Sequence, residues 1–337
     1  SLYSSNQPLV ISDGIPLERQ GIFRSIISGH TYDPLISINP EDVTGLTVIK
    51  DPSELITFGL KSSNGAVVIE TLKPTETRTT IDFSFKTGLS QSEKQIPVLD
   101  DNQYRTLAHD VLITSDYLEE EFYLLFPGLY NDPASRDYYR YIHNTNWQNE
   151  VFRNALLYDA GLSIKGGDAI SKYGLSVRYQ DYDGTIKNSN YNSIKLRFVG
   201  SFNVFKWLEM FVSTSLSNNR SELKETGYSE STSPILSALF KAPVMAPYQF
   251  EEDGQELTFL DDTDPFGVSN PTAVITRSEA LNNNYKFSGT FSLVGHITDQ
   301  LEWNSLLGLN FGNMKESVFL PNTGMESYLD QEAYSEV

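Results

Sequence analysis

The sequence predicts a mainly β protein, in which a small mixed α/β unit precedes a series of antiparallel strands that form part of a transmembrane β-barrel. Three observations predict this fold class. From about residue 80 onward, apolar and polar residues alternate with a period of two, as in strands with one apolar and one polar face. Most alternating runs span roughly 10 to 14 residues, the length that a tilted strand needs to cross a bilayer. Long and short connections also alternate, as they do in outer-membrane barrels.

The first 75 residues lack this alternation and combine short apolar runs with turns. Short strands are predicted at residues 8–11, 46–49 and 66–71, and the first of them ends at the turn Asp13-Gly14. Asp51 is expected to cap a short helix that starts at Pro52 and ends before Gly59. Asn64-Gly65 supplies the positive φ that a tight turn before the third strand requires.

The remainder of the chain contains about seven alternating strands. Polar residues such as Ser176, Arg178, Lys195 and Arg197 occupy the opposite face of these strands. The apolar positions that define the seven strands are, in order, Ile81, Phe83 and Phe85; Leu156, Tyr158, Ala160, Leu162 and Ile164; Tyr173, Leu175, Val177 and Tyr179; Ile194, Leu196, Phe198 and Phe202; Leu208, Met210, Val212 and Leu216; Tyr285, Phe287, Phe291, Leu293 and Ile297; and Trp303, Leu307, Leu309 and Phe311.

The lengths of the connections predict the orientation of the strands. Connections of some 60 residues follow the first and fifth strands, whereas tight turns at residues 166–169 and 298–300 close other hairpins. A soluble β-sandwich has no reason to segregate long and short loops to opposite edges. Since periplasmic turns are short in outer-membrane barrels, the first strand is expected to run outward from a periplasmic N-terminal unit.

Seven strands cannot form a closed bacterial barrel of the usual kind, which has an even number of eight or more. An open sheet would leave two unpaired edges in lipid. We therefore expect these strands to be the front of a longer chain, and closure with a second polypeptide is the alternative. The chain starts at Ser1 without a signal peptide, so its start is expected to be processed or incompletely represented.

Composition argues against several functions. A net charge of -19 argues against nucleic-acid binding, and the lack of cysteine excludes disulfides and thiolate chemistry. The sequence has no run of about 18 apolar residues and no catalytic motif, so we expect no transmembrane helix, no enzyme activity and no cofactor. The four histidines, His30, His109, His143 and His296, show no metal-ligand spacing.

Two features of the long connections carry alternatives. The acidic clusters at residues 251–254 and 261–264 do not follow the EF-hand order, so a solvated loop is expected and a calcium site is the alternative. Loop aromatic residues are expected to pack on one another, and stacking on sugars or on a partner is the alternative; they include Tyr117, Phe122, Tyr123, Phe126 and Tyr130. Tyr158, Tyr179 and Tyr285 suit interfacial girdles near strand ends.

At residues 8–17, 38–51, 58–71, 146–152, 162–167, 183–191 and 242–254, the chain carries motifs that, in this order, resemble those of SusC-type (SusC/RagA-like) TonB-dependent outer-membrane transporters. Residues 8–17 (PLVISDGIPL), 38–51 (INPEDVTGLTVIKD) and 58–71 (FGLKSSNGAVVIET) resemble strands and turns of the plug domain of that family. Residues 146–152 (NWQNEVF), 162–167 (LSIKGG), 183–191 (DGTIKNSNY) and 242–254 (APVMAPYQFEEDG) resemble its barrel and loops. The resemblance covers nearly the whole chain.

The resemblance implies a partial plug domain at residues 1–75 and the first strands of an incomplete barrel at residues 76–337, with 22 strands expected in the full barrel. It implies import of large nutrients, glycan oligosaccharides or peptides, through the bacterial outer membrane and its lipid. A SusD-like surface lipoprotein would form the lid and the TonB-ExbB-ExbD complex would supply energy. The matched plug motif, with a structural or gating role, comprises Asp13, Gly14, Lys50, Asp51, Phe58, Gly59, Asn64 and Gly65.

The chain departs from the family pattern in the same motif. Pro52 replaces a small alanine, Phe58 replaces a tyrosine, and Leu60-Lys61 replaces Ser-Arg. Lysine is a poor substitute where a bidentate arginine contact is needed. Two alternative functions therefore stay open: a degenerate SusC-like barrel that acts as the structural scaffold of an outer-membrane complex, and a soluble β-rich glycan-binding protein.

Overall fold

The computed structural model describes residues 8–17, 25–27, 29–30, 34–75, 77–92, 94–115, 121–122, 126, 128–227, 229, 231–321, 323–325 and 333–336. Among these residues, strands predominate over helices. None of the described helices has the length and apolar character needed to span a membrane.

The N-terminal unit, residues 8–75, is built on a four-stranded sheet. β1 and β4 run parallel, with Leu9 opposite Ala66 and Ser12 opposite Ile69, and the strand order is β2-β1-β4-β3. Its apolar residues lie on both faces: Ile11, Leu55 and Phe58 pack on one side, and Val10, Leu17 and Ile69 pack on the other. The elements are β1 (Leu9–Ser12), β2 (Ile15–Pro16), β3 (Val43–Ile49), α1 (Pro52–Leu55) and β4 (Ala66–Thr71).

The predicted caps and turns of this unit are confirmed. The Asp51 carboxylate accepts a hydrogen bond of 2.8 Å from Ser53 N at the start of α1. The hydrogen bonds that the side chain and the backbone of Ser53 donate to this carboxylate lower the pKa of Asp51. A single 3₁₀ turn at Ile56–Phe58 continues α1 and ends at Gly59, whose φ is 72°. Gly65 has a φ of 96° immediately before β4, a conformation that glycine adopts without the steric cost of a Cβ.

The rest of the chain forms one large antiparallel sheet. Its strand order is β14-β13-β12-β9-β8-β7-β6-β5, so neighbours along the sheet are also neighbours along the chain except where the β10-β11 hairpin intervenes. The elements are β5 (Thr77–Ser90), β6 (Ala155–Gly167), β7 (Ser171–Asp183), β8 (Asn190–Phe205), β9 (Leu208–Glu222), β10 (Tyr248–Phe250), β11 (Glu256–Leu260), β12 (Glu279–Thr298), β13 (Leu301–Leu320) and β14 (Ala333–Glu336).

Seven of the eight strands coincide with the seven predicted alternating runs, and β14 is an additional short strand paired with β13. The predicted lengths of roughly 10 to 14 residues hold for β5, β6 and β7, which have 14, 13 and 13 residues. They are too short for β8 and β9, with 16 and 15 residues, and for β12 and β13, with 20 each. The alternation of β12 begins at Tyr285, but the ladder extends back to Glu279 through an Asn-rich segment that has no apolar periodicity. The backbone of this segment pairs with the neighbouring strands, and such pairing produces no pattern of apolar residues in the sequence.

The two faces of the large sheet have opposite polarity. Apolar side chains point away from the N-terminal unit and are exposed, for example Phe83 at 72% and Phe311 at 66%. Polar side chains of the other face are buried against the N-terminal unit or one another, for example Asp159 and Arg178 at 7% each. An apolar outer face and a polar inner face are typical of the wall of a transmembrane β-barrel.

The two long connections pack together into a layer at one end of the large sheet. This loop layer consists of the described residues of 91–154 and 223–278. Trp147 lies at its centre with Val151, Val244 and Met245, and its Nε1 donates a 2.9 Å hydrogen bond to Ala242 O. Its helices are α2 (Asp101–Ile113), α3 (Tyr138–Tyr141), α4 (Trp147–Val151), α5 (Pro234–Phe240) and α6 (Pro271–Arg277).

The loop aromatic residues are largely internal, as expected. Phe122 and Phe126 are buried with Ala108 and Leu129, and Tyr104 packs against them. Tyr130 is exposed but meets the His109 ring edge-on at 6.4 Å between centroids. Tyr117 and Tyr123 lie outside the described residues.

The acidic clusters of the loop layer are largely engaged by protein groups. Asp261 is buried and accepts a 2.9 Å contact from Arg140 Nη2, and Asp264 accepts the Ala242 N–H at 3.0 Å. Arg136 binds Glu252 at 2.6 Å. In the described part of the chain, no group of three or more His, Asp or Glu residues is arranged to hold a metal ion. The expected solvated loop is therefore wrong for the second cluster, in which Asp261 and Asp264 are buried.

The three tyrosines that suggested interfacial girdles all point outward. Tyr158 and Tyr179 are exposed near the ends of β6 and β7 that border the loop layer. Tyr285 is also exposed, but it lies well inside β12 because that strand begins earlier, at Glu279. Only the first two positions match the expected strand ends.

Candidate functional site: the crevice between the N-terminal unit and the large sheet

The N-terminal unit meets the inner face of the large sheet along a polar crevice, and two arginines of the sheet organise it. Arg178 on β7 binds Asp159 on the adjacent strand β6, with an Nη2–Oδ2 distance of 2.6 Å. The same guanidinium reaches across the crevice to Asn39 Oδ1 at 2.9 Å and Glu41 Oε1 at 3.1 Å. Lys86 on β5 also binds Glu41, at 2.7 Å.

This set, the Arg178 cluster, balances its charges within the crevice. Gln180 and Tyr182 donate further hydrogen bonds to Asp159, at 3.1 and 2.9 Å. The hydrogen bond from Lys86, assisted by the charge of Arg178, lowers the pKa of Glu41 although partial burial acts in the opposite direction. Glu41 is therefore held as a carboxylate between two cations of the wall.

The second set, the Arg197 cluster, joins a turn of the N-terminal unit to the end of β4. Asp13 accepts hydrogen bonds from Thr71 N, at 2.8 Å, and from Thr71 Oγ1. Arg197 on β8 donates to Thr71 Oγ1 and, at 3.3 Å, to Leu72 O, and its Nη2 lies 3.8 Å from Asp13 Oδ2. One partly buried arginine thus connects the turn, the last strand and the following linker to the wall.

Further polar contacts cross the crevice. Ser176 Oγ donates to Asp42 Oδ2 at 3.1 Å, and Lys195 Nζ donates to Ile38 O at 3.3 Å. On the other side of the unit, Asn310 Nδ2 donates to Pro16 O at 3.1 Å, and Ile26 N donates to Glu316 Oε2 at 2.9 Å. The N-terminal unit is held in place mainly by hydrogen bonds and ion pairs, which exchange partners more readily than an interlocked apolar core.

The eight residues of the predicted motif fall into two groups at opposite ends of β1 and β4. Asp13 and Gly14 form the turn between β1 and β2, where their φ values are 49° and 82°, and Asp13 belongs to the Arg197 cluster. The other six lie in or beside the segment between β3 and β4. Lys50, Gly59, Asn64 and Gly65 line a surface cavity of about 510 Å³ there, Asp51 caps α1, and the partly buried Phe58 packs against the core.

Arg178, Arg197 and Lys86 were not predicted as site residues, although the period-two alternation places all three on the polar face of their strands. A detectable signal was present, because long charged side chains at inward positions of a barrel strand require a partner inside the lumen. The partners of Arg178 and Lys86 on the N-terminal unit, Asn39 and Glu41, were not identifiable, because they lie on a different unit and have no fixed spacing from the strands.

Comparison with known proteins gives a consistent result. No protein-family model matches the chain. It is 28% identical over 233 residues to the TonB-dependent receptor SusC of Bacteroides thetaiotaomicron. The matched segment is 67% of this chain and 20% of that receptor. It is 24% identical over 288 residues to the TonB-dependent receptor P3 of Formosa agariphila. Here the matched segment is 84% of this chain and 26% of that receptor.

Among solved structures, the RagAB peptide importer in the 'closed-closed' state matches with a TM-score of 0.73 at 17% identity. The match covers 96% of this chain and 36% of that one, and it shows a common fold. The chain thus spans about a fifth to a third of the length of the proteins it matches. The chain is a relative of the SusC-type TonB-dependent receptors, with the fold of a plug domain followed by the first part of their antiparallel barrel wall.

Proposed function

We propose that this chain supplies the plug and the first part of the barrel wall of a SusC-like TonB-dependent importer of large nutrients in the bacterial outer membrane. The plug corresponds to residues 1–75 and the incomplete wall to residues 76–337. The cargo is a glycan oligosaccharide or a peptide, and no covalent reaction on it is proposed. A SusD-like lipoprotein covers the outer mouth, and the TonB-ExbB-ExbD complex supplies the energy.

One observation carries the proposal: a compact unit is fastened by polar contacts to the polar face of a sheet whose other face is apolar. A lumen plug must leave or rearrange during import, and ion pairs such as Arg197 with Asp13 can be broken without opening an apolar core. The outward apolar face suits lipid and argues against the soluble glycan-binding alternative, because a soluble protein rarely exposes so large an apolar surface.

The cargo and partner classes rest on the relatives. RagAB is described as a peptide importer, and SusC and P3 are described as TonB-dependent receptors. In the proposed orientation, the loop layer surrounds the outer mouth, where the SusD-like lid would dock. The segment between β3 and β4, with Lys50, Gly59, Asn64 and Gly65, is the part of the motif that we propose to respond to gating.

A reversible lock between plug and wall tests the proposal. Gly308 on β13 faces Ile15 on β2, and a Cβ at Gly308 would lie 2.8 Å from Ile15 Cγ1 and 3.2 Å from Cγ2. Cysteines at both positions would therefore have their Cβ atoms within the reach of a disulfide. Because these 337 residues contain no cysteine, the pair Ile15→Cys/Gly308→Cys forms the only disulfide possible within this part of the full-length protein.

We expect uptake of labelled glycan or peptide by whole cells to stop when this pair is oxidised and to recover on reduction. The matched control is Leu293→Cys/Ser305→Cys, which joins directly opposed positions of β12 and β13 without touching the plug. Uptake that continues through a fully oxidised plug-to-wall disulfide would contradict a moving plug.

The scaffold alternative has one favouring observation. Leu60, where the family pattern has serine, is 95% exposed, and its neighbour Lys61 replaces the arginine of the pattern. If the protein is a scaffold, deletion of its gene should leave uptake of every tested glycan and peptide unchanged and should lower the amount of an outer-membrane complex. Loss of uptake on deletion supports the importer.

A further inference from the structure

The crevice encloses a cavity that the plug contacts do not fill. Its volume is about 70 Å³, and its lining comes from both units, including Asp13 and Asp42 on one side and Lys195, Arg197 and Lys286 on the other. A buried water needs roughly 10–15 Å³ on the same measure, so the cavity has room for a group of several atoms.

The register of the large sheet aligns polar donors along this cavity. Lys195 on β8 and Lys286 on β12 both lie directly opposite Ser217 on the intervening strand β9. Two residues further along each strand, the next set of inward-facing side chains consists of Arg197 on β8, Ser215 on β9 and Ser288 on β12. Hydrogen-bonded neighbours are about 4.8 Å apart in a sheet, so side chains of one row can converge on a single small ligand.

Two of these donors have no partner in the described structure. The Lys286 ammonium group makes no hydrogen bond or ion pair with any described residue, and the buried Ser217 Oγ has no hydrogen-bond partner among them. Lys195 has only the 3.3 Å contact to Ile38 O. Ser217 is buried and Lys286 is partly buried, so a hydroxyl donor and a charged donor lack the partners that polar groups removed from water normally have.

The carboxylates that face the cavity do not neutralise these lysines. Asp13 is occupied by Thr71 and Arg197, and Asp42 accepts a hydrogen bond from Ser176. Three cations and two carboxylates line the cavity, which leaves an excess of positive charge near Lys286.

We propose that this cavity binds a small tetrahedral oxyanion such as inorganic phosphate or sulfate, between plug and wall. Lys286 and Lys195 supply charge, and Ser217 supplies a hydroxyl donor from the strand between them. The site does not depend on what the protein imports.

Equilibrium dialysis of the purified full-length protein in detergent, with radiolabelled inorganic phosphate at low ionic strength, tests the site. We expect saturable binding of one phosphate per protein, with competition by sulfate. Lys286→Met should weaken binding by about tenfold or more, the effect of one lost charge-assisted hydrogen bond. Lys206→Met, which removes an exposed lysine from the β8-β9 turn, should leave it unchanged.

Two further variants keep the test independent of folding. Lys286→Arg retains the charge and should retain binding, and Ser217→Ala removes a donor without changing charge and should weaken binding. Absence of saturable binding to the wild type, so that only water fills the cavity, would overturn the proposal, as would equal binding by Lys286→Met. Because binding is measured on purified protein and import in cells, failure of either proposal is distinguishable from failure of the other.

Discussion

The N-terminal unit and the large sheet are both β structures with clear apolar patterns, yet the first buries apolar side chains and the second buries polar ones. In the N-terminal unit, Val10, Ile11 and Ala66 are buried and the sheet is apolar on both faces. In the large sheet, Phe83 and Phe311 are exposed, and Arg178 and Ser193 are buried. The first follows the rule for water-soluble cores, and the second follows the rule for a wall between lipid and a polar lumen.

The difference shows what a period of two does and does not specify. Alternation assigns side chains to two faces, but it does not say which face is inside. In the large sheet, the polar face is the inner one because its side chains bind the N-terminal unit: the Arg178 and Arg197 clusters contact carboxylates and carbonyls of that unit.

The largest expected effect tests the outer face directly. Leu162 points outward on β6, and its neighbour Ser163 points inward, opposite Asp82 on β5. Leu162→Arg should destabilise the full-length protein in lipid vesicles by about 2–4 kcal/mol, because an arginine would face the hydrocarbon. Ser163→Arg should stay within about 1 kcal/mol, because it gains an acidic neighbour. Denaturant unfolding measures both, and equal losses would show that the outer face does not meet lipid.

The next effect sharpens the role of the inner face. Arg197→Met leaves the Asp13 carboxylate without its cation and Leu72 O without a donor, so we expect a loss of about 3 kcal/mol in the local stability of the N-terminal unit. Hydrogen exchange at the amides of Thr71 and Leu72 should report it. Arg220→Met removes an exposed arginine of β9 and is the control. Unchanged exchange in Arg197→Met would mean that the unit is held by other contacts.

The smallest effect concerns the loop layer, which has a soluble-type core. Burial lowers the pKa of His143, although its hydrogen bond with Tyr139 O acts in the opposite direction. Between the folded and unfolded pKa values the unfolded state binds more protons, so stability falls as the pH drops below about 6.5. Thermal unfolding of the loop layer should show this decline, and His143→Gln should reduce it. His296→Gln, at an exposed position, should not; an equal reduction would assign the decline to other groups.

Much of the fold was predictable because it depends on local signals. The seven alternating runs, the Asp51 cap and the Gly65 turn each require only neighbouring residues. The helices of the loop layer were not predicted, although Asp100 and Gln103 form a capping box at the start of α2. The crevice was not predictable, because its contacts join residues such as Arg197 and Leu72, 125 positions apart.

The parallel pairing of β1 with β4 also has a mechanical consequence. Thr71, at the carboxyl end of β4, is tied to the wall through Arg197, whereas the chain enters β1 at its amino end, at Leu9. A pulling force applied through Pro8 therefore acts on opposite ends of two parallel strands and loads their hydrogen bonds in shear, all at once. A force applied beyond β2 would instead separate the antiparallel β1-β2 pair one hydrogen bond at a time. The N-terminal unit should therefore resist a pull through the amino end of β1 better than a pull through the end of β2.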